Sequence, residues 1–293
     1  MAVADRFKTL LARIEPSATT TQLYESHRSG VTARLKTVFA ANKVVLIGSN
    51  ARDTAIGRHS DVDLLLVLSR SEVTRGGSLI SSETVLKNVR VQLEDRYTAT
   101  KIGKDGQAIV VDFRDGDHPV DVVPAFYEGP AASLNNYPVF RIPDGEGGWM
   151  QTSPDAHNRY IIEADQRSRG KLKGVVRLIK FWRTTRNVPL NSFHVELLLA
   201  ENSVCDGVKS YAECVADAMA LLAERGCRGL QDPLGISGIV KAANTEAKRQ
   251  QAVASLRQCA EHAKQAVGSD CYGYYTTAYQ QWDFVFNGQF PKQ

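Results

Sequence analysis

The chain has little of several things that would narrow its role at once. Only five cysteines occur in 293 residues, Cys205, Cys214, Cys227, Cys259 and Cys271, all in the C-terminal third. None forms a C-x-x-C pair, so they do not read as a zinc site, and an odd number argues against a disulfide framework. The six histidines are scattered. No apolar run approaches the roughly 20 residues needed to span a bilayer. The start, Met1-Ala-Val-Ala-Asp-Arg, lacks a basic segment leading into an apolar one, so no secretory signal is expected. There is no internal repeat and no low-complexity tract. The formal charge is only +4, whereas a protein that coats long nucleic acid usually carries a larger excess or a dense basic tract. Together these absences predict a soluble, cytoplasmic protein with free thiols, no membrane association and no stable nucleic-acid partner.

What is present is the ordinary balance of a globular protein, 43% hydrophobic and 23% charged. The length suffices for one large core or for two domains sharing a cleft. Residues 1–41 read as helical, interrupted by Pro16 and the run Thr19 to Thr21, with Leu23, Val31, Leu35 and Val38 along one face. Val44 to Ile47 is a short β-branched run ending at Gly48-Ser49, and Asp61 to Leu68 is a longer strand. Leu86, Val89, Leu93 and Tyr97 are spaced for a helix over residues 82–97. Residues 107–114 and 119–126 read as two more strands, joined by the hairpin chemistry of Asp115-Gly116-Asp117. Residues 127–157, rich in proline and glycine, read as a long irregular connection.

From residue 158 the pattern turns helical. Leu172, Val175, Val176, Ile179 and Trp182 form one stripe, and residues 211–225 form a helix stopped by Gly226. Val253, Leu256, Ala260, Ala263 and Val267 mark another, stopped by Gly268. Trp149 and Trp182 read as core. The expected fold is α+β: a lobe with a mixed sheet over residues 1–157, N-terminal helices included, and a helical lobe over 158–293, with the active site in the cleft between.

The chemistry is concentrated in a few acids. Side chains alternate along a strand, so Asp61 and Asp63 point the same way, with Leu65 and Val67 further along. Two adjacent carboxylates repel, and a divalent cation would remove the repulsion. On its own, D-x-D also suits a strand end that faces water. Gly48 and Ser49 narrow the choice. Glycine lets the backbone approach a ligand closely, and Ser49 offers a hydroxyl and an N–H to a phosphate oxygen. Asp121 is a third acid inside an apolar run, costly unless paired or metal-bound. Three carboxylates suffice to bridge two Mg²⁺ ions about 3.5–4 Å apart, the arrangement that activates an attacking hydroxyl and holds a leaving pyrophosphate.

Gly48-Ser49, Asp61-x-Asp63 and Asp121 resemble the nucleotidyltransferase superfamily that includes poly(A) polymerases, oligoadenylate synthases and cyclic GMP-AMP synthase, with its polymerase beta-like fold. Within it, Gly48-Ser-Asn-Ala-Arg-Asp-Thr-Ala-Ile-Gly-Arg-His-Ser-Asp-Val-Asp63 and Val120-Asp-Val-Val-Pro-Ala-Phe126 are similar to the bacterial CD-NTases (cGAS/DncV-like nucleotidyltransferases), which make cyclic oligonucleotide signals in anti-phage defence. So are Ile142 to Trp149 and Ser153 to His157. Val176-Arg-Leu-Ile-Lys-Phe-Trp182 and Asn191-Ser-Phe-His-Val-Glu196 resemble the family's lysine helix and Ser-aromatic-His motif. The likeness extends over residues 40–240. One departure is Asp53, where many members have glycine before threonine.

The resemblance implies that Lys180 and Ser192 contact a triphosphate and that Phe193 stacks on the donor base. By spacing alone, Lys173, Arg177 and Lys180 form a stripe that would suit a solvated face, and Phe193 could equally be a core aromatic. His194 and Glu196 read as structural. The expected activity is template-independent nucleotidyl transfer with Mg²⁺, or Mn²⁺ in its place. It would join NTPs, ATP among them, into a cyclic di- or trinucleotide. Asp61 and Asp63 would ligate both metals and Asp121 the one at the attacking hydroxyl. The implied partners are a regulatory protein and a downstream effector reached through the product. The alternatives are linear oligoadenylate synthesis, nucleotidyl transfer to another acceptor, or a silent nucleotide-binding protein. The intact aspartates disfavour the last.

Overall fold

The computed structural model describes residues 2–113 and 118–292. In chain order the elements are α1 (Val3–Ile14), α2 (Ala18–Val38), β1 (Ala41–Ile47), the single turn α3 (Gly48–Ala51), β2 (Val62–Leu68), α4 (Arg70–Val73), β3 (Thr74–Arg75), β4 (Ser78–Leu79), α5 (Ser82–Arg96), β5 (Lys101–Asp105), β6 (Ala108–Asp112), β7 (Val120–Ala131), β8 (Tyr137–Pro143), β9 (Trp149–Thr152), α6 (Pro154–Arg167), α7 (Leu172–Thr185), α8 (Ser192–Glu201), α9 (Tyr211–Glu224), β10 (Leu230–Gln231), β11 (Ile239–Val240), α10 (Glu246–Cys271) and α11 (Tyr275–Val285). The chain divides into two units, Pro16–Arg159 and Met1–Glu15 with Tyr160–Gln293. The division expected at 157/158 takes no account of α1, which groups with the helical unit. The hairpin expected at Asp115-Gly116-Asp117 lies outside the described residues.

The sheet unit is built on seven strands in the order β1-β2-β7-β6-β5, with β8 on β7 and β9 on β8. Among the described strands of this sheet only β2 and β7 run parallel; the other pairs are antiparallel. β2 is buried on both faces, which suits its near-continuous Val/Leu run. Val62, Leu64 and Leu66 pack with Val31 and Leu35 of α2 and Val85, Leu86, Val89 and Leu93 of α5. Leu65 and Val67 pack on the other face with Val123, Ala125, Phe140 and Ile142.

Residues 127–157 are not an irregular connection. They complete β7 and form β8, β9 and the start of α6. Pro138 and Pro143 stand near the ends of β8, where a missing N–H weakens the ladder least. Gly129 sits at a register shift within β7, and the other glycines belong to the turn between β8 and β9, where Gly145 and Gly147 adopt φ of +87° and +99°. Asp144 ties that turn, its Oδ1 accepting from the N–H groups of Glu146 (2.8 Å) and Gly148 (2.9 Å). Two other expected stops also move. Thr19 to Thr21 sit in the first turn of α2, capped by Ser17, whose hydroxyl accepts from the Thr20 N–H at 3.1 Å. α10 continues through Gly268 to Cys271, because packing on α9 and α11 outweighs the roughly 1 kcal/mol cost of an interior helical glycine.

In the helical unit, α1 is fastened by aromatics. Phe7 is fully buried, with ring centroids of Trp282, Phe290 and Phe286 at 4.9, 5.1 and 6.0 Å. Trp182 is also fully buried. Trp149 is half-buried, its ring 5.0 Å from Phe126 and its Nε1 donating to the Ile80 carbonyl at 3.1 Å. All five cysteines are free thiols. Among the described residues no helix is long and apolar enough to cross a membrane. Phe7→Ala is expected to cost about 3–5 kcal/mol in chemical denaturation, from lost burial and the cavity left behind, and to expose α1 to limited proteolysis. A cost below 1 kcal/mol would show that α1 is not part of the unit's core.

Candidate active site

The pairing of β2 with β7 places the acids. Asp63 lies opposite Asp121 in register, between the pairs Val62–Val120 and Leu64–Val122. Because side chains alternate, Asp63 shares a face with Leu65 and Val67, and Asp121 shares it with Val123 and Ala125. Neighbouring strands run about 4.8 Å apart, so the two carboxylates project side by side. Asp61 immediately precedes β2, and its carbonyl accepts from Asn50 Nδ2 at 2.7 Å.

The electrostatics of this face are unfavourable without a counter-charge. The Asp121 carboxyl is pushed up to about 8, first by burial and then by Asp63, Asp61 and Asp105. Its Oδ1 is buried with no hydrogen-bond partner among the described residues. A buried carboxylate oxygen of this kind, crowded by other acids, fits a hard divalent cation. The side chains as they stand are not closed around one point: among the described residues no group of three His, Cys, Asp or Glu is gathered tightly enough to hold a metal. Mutual repulsion of like charges favours such an open arrangement.

The Gly48-Ser49 turn lies directly against Asp63. β1 ends with Ile47 paired to Asp63, and Gly48 then takes φ +67°. A Cβ at this position would lie 1.9 Å from Asp63 Oδ2 and 2.5 Å from its Cγ. Glycine is therefore required here by the carboxylate itself as well as by the backbone. The turn is closed by the Thr54 N–H donating to the Ser49 carbonyl at 2.9 Å, and Ser49 is half-buried. Asp53 adopts φ +58°, left-handed backbone that glycine takes freely and that Asp tolerates better than most. Tyr24, which sequence reasoning passed over, pins the following loop: its hydroxyl donates to the Gly57 carbonyl at 2.6 Å. Burial, with a smaller contribution from Asp61, pushes its hydroxyl up to about 12.

The other residues singled out from the sequence lie in the helical unit. Lys180 on α7 is buried and paired with Glu196 of α8 at 2.5 Å, their side chains 5% and 0% exposed. Arg177, one turn earlier, pairs with Glu15 at 2.8 Å. The Lys173-Arg177-Lys180 stripe is thus not a solvated face, because acids distant in sequence neutralise two of its members. Ser192 and Phe193 open α8 and are half-buried, with Asn191 Oδ1 capping the helix by accepting from the Phe193 N–H at 2.9 Å. His194 is buried and its Nε2 bonds the Arg228 carbonyl at 2.9 Å; burial lowers its pKa.

Two substitutions probe these contacts. Gly48→Ala is expected to cost about 1–3 kcal/mol of stability through its left-handed backbone, with a further cost from the clash. A double-mutant cycle with Asp63→Ala separates the two; an additive cycle would show that the Asp63 carboxylate does not fill the space over Gly48. Glu196→Gln, which leaves the Lys180 ammonium buried without its counter-charge, is expected to cost about 3–5 kcal/mol in urea titration. A neutral result would mean that the pair is solvated.

Residues 1–164 match the SMODS family, the Second Messenger Oligonucleotide or Dinucleotide Synthetase domain. A probable cyclic nucleotide synthase of Bacillus cereus is 23% identical over 288 residues, covering 87% of this chain and 84% of the relative. A cyclic AMP-AMP-AMP synthase of Acinetobacter is 28% identical over 219 residues, 69% of this chain but only 59% of the relative's length. Among solved structures, Escherichia coli CdnC with ATP superposes at a TM-score of 0.72, with 18% identity over 99% of this chain and 98% of that one. Vibrio cholerae DncV with its linear intermediate superposes at 0.65, with 12% identity over 99% and 86%. At such identities the structural likeness shows the fold, a mixed sheet with helices shared with the CD-NTases. The match over more than half of the chain shows more: this protein belongs to the SMODS family of nucleotidyltransferase enzymes that synthesise oligonucleotide second messengers.

Proposed function

We propose that this chain joins NTPs, ATP among them, into a cyclic di- or trinucleotide that acts through a downstream effector in anti-phage defence. The observation that carries the reading is the in-register pair Asp63 and Asp121 beside the Gly48-Ser49 turn. The similarity to synthases of cyclic nucleotides supports it. Asp61 and Asp63 would hold two divalent cations, and Asp121 would help hold the one that serves the attacking hydroxyl. Bound Mg²⁺, or Mn²⁺ in its place, supplies Lewis-acid activation of that hydroxyl and neutralises the leaving pyrophosphate.

The protein's own groups bind and orient. By the family resemblance, the Ser49 hydroxyl and N–H in the sheet unit are phosphate contacts, and in the helical unit Lys180 and Ser192 are phosphate contacts and Phe193 a base-stacking residue. Glu196 fixes the Lys180 ammonium in place. The acceptor hydroxyl oxygen forms a bond to the α-phosphorus as the bond from that phosphorus to the bridging oxygen breaks. The hydroxyl proton passes to solvent water and pyrophosphate departs. A second transfer in the same sense closes the ring. Activation by a protein partner fits the likeness to Escherichia coli CdnC, whose solved complex contains a HORMA protein.

The test is incubation of the purified protein with all four NTPs and Mg²⁺ or Mn²⁺, read by mass spectrometry beside Asp61→Asn/Asp63→Asn. Cyclic products are expected. They should fall by about a thousandfold in the variant, the loss of roughly 4 kcal/mol of charge stabilisation. Linear oligomers alone would overturn ring closure. Undiminished turnover in the variant would overturn the assignment of the aspartates.

A further inference from the structure

The helical unit carries a pocket of about 530 Å³, distinct from the aspartates and from the start of α8. One wall is the end of α9 and the loop after it, bearing Arg225 and Arg228; another is α10, bearing Arg249 and Arg257. Glu224 is the single acid among the lining residues, and Leu198, Leu230 and Val253 supply an apolar floor. Arg249 and Arg257 are eight positions apart, so their Cα atoms lie on one face about 12 Å apart along the helix.

Two of the guanidiniums are held in place. Arg225 Nη2 donates to Asn202 Oδ1 at 3.2 Å, and Arg249 bonds both Glu246 and the Gly226 carbonyl. Among the described residues the Arg228 and Arg257 side chains have neither a hydrogen-bond nor an ion-pair partner. With Arg249 neutralised by Glu246, three further guanidiniums face one lining carboxylate around a single concavity, and an anion would relieve the excess. Arginine's planar fork matches phosphate oxygens two at a time. The concave shape, the apolar floor and a volume inside the range of about 300–1,000 Å³ typical of small-molecule sites favour a compact ligand over a nucleic-acid duplex, which is tracked along an extended basic surface. The spread of the arginines over two walls suits several linked phosphates rather than one inorganic ion.

We propose that this pocket is a second, non-catalytic site for a nucleoside polyphosphate, the phosphates on the arginines and the base on the apolar floor. The inference goes beyond the catalytic reading and does not depend on it. Full-length Asp61→Asn/Asp63→Asn protein is dialysed against radiolabelled ATP in EDTA, which leaves any metal-assisted binding behind. Saturable binding is expected. Adding Arg228→Glu/Arg257→Glu should weaken it at least about tenfold, as loss of charge-assisted contacts requires, and Arg228→Ala/Arg257→Ala should act in the same direction with an unchanged melting temperature. Tripolyphosphate should displace ATP at lower concentration than adenosine does. Absence of saturable binding, affinity within about twofold of the parent in the alanine pair, or displacement by a short DNA duplex at lower concentration than tripolyphosphate would each overturn the proposal.

Discussion

The in-register parallel pairing of β2 with β7 is the constraint on which the rest of the candidate site depends. It sets Asp63 beside Asp121 with no offset. A slip of one residue would turn one carboxylate into the core beneath α2 and α5. The register is protected because β2 is buried on both faces and because β7 is held on its other side by β6 and, further along, by β8. The apolar packing that locks the strands therefore sustains an arrangement of acids that their own electrostatics oppose, with Asp121 pushed up to about 8.

The loop between β1 and β2 is shaped around that arrangement. Gly48 leaves its Cβ space to the Asp63 carboxylate, and Asp53 occupies left-handed backbone five residues on. Asn50 reaches back to the Asp61 carbonyl, and Tyr24 ties the loop at Gly57. Carboxylates and turn thus constrain each other: the turn needs the space over Gly48 free of a side chain, and Asp63 needs the turn to leave it there. The helical unit solves a separate problem. Lys180 and Glu196 neutralise each other in a buried setting where either alone would be costly, and the Phe7 cluster recruits a helix from the opposite end of the sequence.

Much of the architecture was legible from periodicity. The strands at 44–47 and 61–68 and the helices over 82–97, 172–182 and 211–225 announce themselves by alternation or by spacings of three and four. What misled was punctuation. Prolines and glycines in 127–157 suggested a loop, yet they occupy strand ends and the turn that Asp144 ties, while Gly268 suggested a helix end that long-range packing overrides. The candidate acids were legible because a charged residue inside a Val/Leu run is conspicuous. Tyr24 was not, because a tyrosine on a helix carries no such mark.

The sequence by itself determined the α+β class, the strands that carry the acids, the parity that sets Asp63 on the face of Leu65 and Val67, and the family likeness of the motifs. These are local properties, set by side-chain alternation and by which residues tolerate burial. Only the tertiary structure decided that Asp121 stands opposite Asp63, that Gly48 is demanded by a carboxylate rather than by the turn alone, that Lys180 meets Glu196, and that α1 joins the helical unit. Each of these unites residues from 15 to nearly 300 positions apart, from Gly48–Asp63 to Phe7–Phe290. Such pairings are chosen by the free energy of filling a common core, which no window along the chain contains.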